Sequence, residues 1–207
     1  MSTSDGVGAR VVQTAGPVLI IGSGLLGASL GLALWAGGVR VYLEDASPTS
    51  LRLASDVGAG QAFGDVLAEA GVRPSDCGSD TPSYKAPSVV VVATPPDVAD
   101  RVIVDSLLRF PDAIVTDVAS VKDAVVADVL RGLEREDCLE AASRYVGSHP
   151  MAGRERSGAG AADADLFYGR PWVIVAHETT WPRAVLVTRA LATDVGAVPL
   201  EMNAGTH

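Results

Sequence analysis

The run PVLIIGSGLLGASLGLALWAGG, beginning at Pro17, constrains the fold of this chain more than any other stretch. As far as Ile21 it is a short unbroken apolar run, the pattern of a strand buried on both faces. Its second half has the apolar spacing of a helix and stops at Gly37 and Gly38, a natural C-terminal signal. Between the halves, Gly22-Ser23-Gly24-Leu25-Leu26-Gly27 spells G-x-G-x-x-G. A chain with 22 glycines meets that pattern easily by accident. What makes it informative is the strand before it and the helix after it. In that setting Gly22 permits the tight turn, Gly24 admits a pyrophosphate to the backbone, and Gly27 lets helix and strand lie close. The free N–H groups at the helix start then face the phosphates. With Leu25 and Leu26 between the glycines, the motif forms one candidate dinucleotide site.

The rest of the chain keeps alternating. VRVYLED reads as a second strand, and SPTSLRLASDVG as a second helix with Ser47 as N-cap and Pro48 at its first position. Residues 60–86 are irregular, with one short helix near 65–70. SVVVVATPP, AIVTDVAS, RYVGSHP, RPWVIVAHE and AVPLEMN read as further strands. PDVADRVIVDSLLRF, VKDAVVADVLRGLERE and TWPRAVLVTRALATDVG read as the helices between them. Such alternation predicts an α/β fold with a doubly wound, mostly parallel sheet of the Rossmann type. Residues 1–15 read as a flexible polar lead-in, and 16–207 as the dinucleotide-binding domain. Composition agrees: 48 % of residues are hydrophobic but only 5 % aromatic, so small aliphatic side chains build the core.

A formal charge of −9 repels nucleic acid and anionic membranes, although a small anionic ligand responds to the local field instead. Cys77 and Cys138 stand far apart in no CxxC pair, against a disulfide framework or a metal site. No run matches a signal peptide or a membrane span. The expectation is a cytoplasmic protein.

An acidic residue is due roughly 20 positions after the glycine motif, to bind a ribose diol. Glu44 and Asp45 both stand there. Asp45, the last residue before the turn, is the expected ligand and Glu44 the alternate. Ala46, Ser47 and Pro48 follow with no arginine for a 2′-phosphate, so NAD is expected rather than NADP. Ligands in such sheets lie beyond the carboxyl ends of the strands. Three later ends carry polar or loop-forming residues: Thr94-Pro95-Pro96, with Thr94 and Pro95 against the cofactor, then 117–122, then Ser148-His149-Pro150. Singly, each has a plainer role, with Thr94 and Ser120 as helix caps, Lys122 as a solvated helix start and His149 as a turn residue. Jointly they suit alcohol oxidation beside a hydride acceptor. His149 takes the hydroxyl proton and Ser120 holds the imidazole in one tautomer. His177 lacks such neighbours and reads as structural. Two other readings stay open on these residues: an NAD-linked dehydrogenase of another small hydroxy acid, and an NAD-binding module without turnover.

VLIIGSGLLGASLGLAL, TDVASVK and GSHPMAGRERSG, in this order, resemble the prephenate dehydrogenase family, including its arogenate-using members, over about residues 17–207. The two later motifs are much more specific than the glycine loop. The resemblance implies NAD-dependent oxidative decarboxylation of prephenate or arogenate on the way to tyrosine. It makes His149 the catalytic histidine on the ring hydroxyl, and Ser120 the serine touching both that histidine and the substrate. It places Gly22, Gly24, Gly27 and Asp45 in the NAD site and His207 near the substrate. Lys122 matches a lysine of no assigned role. Arg154, Glu155 and Arg156 are either a solvated charged loop or an entrance for a dianionic substrate. Family members continue into a helical dimerisation domain that supplies a substrate-carboxylate arginine and most of a homodimer interface. The expectation is that this chain lacks it and alone turns over little substrate.

Overall fold

The computed structural model describes residues 12–153 and 158–203. Its strands are β1 (Val18–Ile21), β2 (Val41–Glu44), β3 (Gln61–Ala62), β4 (Val89–Val92), β5 (Ile114–Asp117), β6 (Tyr145–Pro150), β7 (Pro171–Ala176) and β8 (Val198–Asn203). They form one sheet in the order β3-β2-β1-β4-β5-β6-β7-β8. Every pairing from β3 to β6 is parallel, β6–β7 is antiparallel, and β7–β8 is parallel again. The order turns at β1, where the chain winds first one way and then the other. That switch point is where open α/β sheets open a ligand crevice.

The helices are α1 (Leu25–Ala36), α2 (Pro48–Asp56), α3 (Phe63–Ala70), α4 (Pro96–Arg109), α5 (Asp123–Arg135) and α6 (Pro182–Asp194). Because strand side chains alternate, Val18 and Ile20 join Leu30, Leu34, Ala54 and Leu191 in a core under α1, α2 and α6. Leu19 and Ile21 join Phe63, Leu67, Ile103, Leu107 and Val129 in a second core under α3, α4 and α5. Burial on both faces explains why these strands read as unbroken apolar runs. Ser47 caps α2 as expected, its side chain accepting from the Ser50 amide at 3.3 Å with Pro48 leading the helix. No described helix is long and apolar enough to cross a membrane.

Two segments depart from the sequence reading. Within residues 60–86 a two-residue strand, β3, leads directly into α3. So short a strand has no periodicity to detect, and its place is held instead by Phe63, Leu67, Cys77 and Tyr84, all buried. Of the lead-in, residues 12–15 are not loose. The Gln13 and Thr14 amides and the Thr14 hydroxyl all donate to the Asp194 carboxylate at the end of α6, 180 residues away for Thr14.

The strand β6 changes partners along its length. Tyr145 and Val146 pair with Val115 and Thr116 of β5, while Gly147–Pro150 pair with β7 alone. Its second half therefore projects past the carboxyl end of β5.

Candidate active site

Each glycine of the loop has a different physical reason. Gly22 has φ +104°, and a side chain there would bring Cβ within 2.5 Å of the Ala93 carbonyl oxygen. At Gly27 the added Cβ would lie 1.9 Å from the Gly22 oxygen, so α1 meets the strand only because nothing projects there. A Cβ on Gly24, in contrast, would meet nothing within 4 Å. That open approach lies at the N-cap of α1, where amides lack helical partners.

Beside the loop is a cleft of about 970 Å³ lined by Gly22, Gly24, Leu25, Leu26, Glu44, Asp45, Thr94 and Pro95, and by residues of α4. The Asp45 carboxylate accepts from the Ser23 amide at 2.5 Å and the Ser47 amide at 2.7 Å, which ties the turn after β2 to the glycine loop. Glu44, the alternate ribose ligand, is engaged elsewhere: both its oxygens lie 3.0 Å from Arg109 Nη1. Thr94 is not a helix cap, since Pro95 holds that position with no side-chain bond. Instead Thr94 Oγ1 is buried with no partner among the described residues, as is Ser23 Oγ in the loop. Buried hydroxyls normally find partners. Two orphan donors, an unobstructed helix N-terminus and a carboxylate at the end of β2 together fit a dinucleotide.

A second polar centre lies where β5 ends and β6 projects. Asp117 and Lys122 form an ion pair with both side chains 0 % exposed. Lys122 Nζ also donates to the Ser148 carbonyl at 2.6 Å. Tyr145 donates its hydroxyl to the other Asp117 oxygen at 2.7 Å, and the Ala119 amide donates to the first at 2.8 Å. Ser148 Oγ donates to the Asp117 carbonyl at 2.6 Å. Burial pushes the Lys122 ammonium below its ordinary range, against the pull of Asp117. Burial, reinforced by the Asp117 charge, holds the Tyr145 phenol well above its own. The lysine is thus not a solvated helix start. It ties the loop after β5 to the projecting half of β6.

That tie positions the predicted chemical residues. Ser120 is exposed on the loop between Asp117 and Lys122, and like Thr94 it caps no helix, because Lys122 holds the N-cap of α5. His149, partly exposed, lies on the projecting half of β6, opposite Val173 of β7. By strand alternation it shares a face with Gly147, where a Cβ would stand 3.3 Å from Lys122 Cδ. His177, just past β7, is held between the Ala142 carbonyl at 3.1 Å and Thr179 Oγ1 at 3.2 Å, and burial lowers its pKa. Arg154, Glu155, Arg156 and His207 lie outside the described residues.

Residues 30–200 match the family described as the nucleotide-binding domain of prephenate dehydrogenase. The chain belongs to this family. Among prephenate dehydrogenase relatives, it is 36 % identical over 189 residues to a Streptomyces niveus protein named Probable prephenate dehydrogenase NovF, covering 91 % of this chain and 46 % of that one. It is 26 % identical over 198 residues to the prephenate dehydrogenase of Bacillus subtilis, covering 94 % of this chain and 48 % of that one. The chain thus spans a little under half the length of these curated relatives. Its fold matches the crystal structure of the prephenate dehydrogenase of Aquifex aeolicus in complex with hydroxyphenyl propionate and NAD+, with TM-score 0.71 and 26 % identity, over 90 % of this chain and 59 % of that one.

Sequence reasoning missed three contributors in this prephenate dehydrogenase domain. The buried pairing of Asp117 with Lys122 had a signal, a charged pair flanking Ser120, but five residues of separation do not reveal burial. Tyr145 gave none, since a tyrosine opening a strand reads as core. Arg109, brought to Glu44 across 65 positions, gave none either.

Proposed function

We propose that this chain is the NAD-binding half of a dehydrogenase that oxidises and decarboxylates prephenate or arogenate in tyrosine formation. The observation that carries the reading is the projection of β6, which lifts His149 past the end of β5 beside the Ser120 loop. Gly22, Gly24, Leu25, Leu26 and Gly27 hold the pyrophosphate, Asp45 the adenosine ribose, and Thr94 and Pro95 the wall of the cleft. Bound NAD+ supplies the hydride acceptor. His149 takes the proton of the ring hydroxyl as hydride leaves the same carbon, and Ser120 orients imidazole and substrate. Loss of the ring carboxylate as CO₂ makes the ring aromatic, so the protein need not stabilise a carbanion. The near-neutral titration of histidine suits that proton transfer. In the whole protein, a further region completes the substrate site and forms a homodimer in the cytoplasm.

Calorimetry on the 207-residue chain tests the cofactor half, with tighter binding of NAD+ than NADP+ expected. A family-length protein carrying this domain should then reduce NAD+ with prephenate or arogenate, followed by absorbance. Reduction with neither would reject the reaction, and failure of the chain to bind NAD+ would reject the cofactor site.

A further inference from the structure

The turn after β2 has no arginine of its own, yet α4 brings two: Arg101 on the wall of the cleft and Arg109 behind Glu44. Arg109, the last residue of α4, reaches Glu44 at the rim of the dinucleotide cleft and is only 23 % exposed. It is held by more than that carboxylate. Its Nε donates to Cys77 Sγ at 3.2 Å, and its guanidinium lies 5.2 Å from the Phe63 ring centroid and 5.0 Å from that of Phe110. A guanidinium packed against two neighbouring rings keeps those contacts when its carboxylate partner is lost. Glu44 lines the cleft beside Asp45. Arg109 Nη1 therefore stands one hydrogen bond behind the surface that a ribose would meet.

We infer that Glu44 is a specificity residue for the cofactor, pairing the Arg109 guanidinium held behind this rim so that its charge does not favour a 2′-phosphate. The inference rests on the NAD reading above and adds a second carboxylate to the choice. Asp45 binds the diol, and Glu44 cancels the charge that would reward a phosphate on it. A 2′-phosphate approaching this rim meets the Glu44 and Asp45 carboxylates, the exposed Arg101 on the wall of the cleft, and behind Glu44 an arginine whose charge is already paired. Removing the Glu44 charge leaves Arg109 held by Cys77, Phe63 and Phe110 with its charge unpaired. Removing the Arg109 charge leaves Glu44 unmasked and repels the phosphate further.

The two substitutions therefore push selectivity in opposite directions, which a merely structural pair cannot do. Affinities for NAD+ and NADP+ are measured by calorimetry on the 207-residue chain, on Glu44→Gln and on Arg109→Met. Glu44→Gln should raise the ratio of NADP+ to NAD+ affinity by about tenfold or more, the effect of one charge-assisted hydrogen bond. Arg109→Met should lower it, and the double variant Glu44→Gln/Arg109→Met should lose the gain. Where the unsubstituted chain binds NAD+ and both single variants leave the ratio within twofold, or shift it in the same direction, the inference fails by itself. No NAD+ binding by the unsubstituted chain would remove the inference together with the cofactor reading.

Discussion

Gly24 and Gly27 stand three residues apart in one loop, yet they answer to different demands. A methyl at 27 strikes a backbone oxygen, which no rotamer change relieves, whereas a methyl at 24 enters open space. Gly27→Ala should therefore cost about 3 kcal/mol or more of stability in urea unfolding, the upper range for overpacking. Gly24→Ala should stay within about 0.5 kcal/mol in the same assay, as exposed substitutions do, while weakening NAD+ in calorimetry. The catalytic proposal is tested at His149. In a turnover-competent family-length protein, His149→Asn should slow the rate roughly 10²–10⁴-fold, the usual share of general acid–base catalysis, with NAD+ affinity little changed. A loss of only a few-fold would make this histidine structural. Single residues were where the sequence spoke most clearly. The glycines and Asp45 have a fixed spacing along one strand–helix–strand stretch, which can be read without knowing what packs against it.

Element by element, the picture depends on buried polar ties that join segments distant in the chain. Asp117 and Lys122 lie under the start of α5 and the projecting half of β6, and neither can lose its partner cheaply. Lys122→Met should destabilise by about 3–5 kcal/mol, the cost of leaving a buried charge alone. Adding Asp117→Asn should recover part of that loss, which denaturant midpoints at constant slope would show. Arg144 performs a similar service nearby. Buried before β6, it donates to the Leu107, Phe110 and Ala113 carbonyls at 2.7, 2.9 and 3.0 Å, closing the end of α4. These ties explain what the sequence could not disclose. Strand and helix positions follow from apolar periodicity, which is local. The two-residue β3, the partner change in β6 and the burial of Lys122 depend on what packs against them, and no spacing records that.

At the scale of the whole molecule, one ionisation gives a direct handle on stability. The folded pKa of His177 lies below its unfolded value, because burial disfavours the charged ring. Between those two values the unfolded chain binds more protons, so stability falls as pH drops below about 6.5, until the folded group also titrates. The denaturant midpoint should therefore decline from about pH 7.5 to 5.5, and His177→Gln should show a smaller decline. An equal decline in both would assign the effect to other groups. The division of β6 between two partners has its own consequence for how the molecule opens. Tyr145 and Val146 share hydrogen bonds with the parallel core, whereas Ser148 and His149 share theirs with β7. Amide exchange should accordingly split within this single strand, the first pair following β4 and β5 and the second following β7 and β8. The histidine then rides on the seam between two cooperative units. A fluctuation that frays the outer one would withdraw His149 and leave the dinucleotide cleft intact.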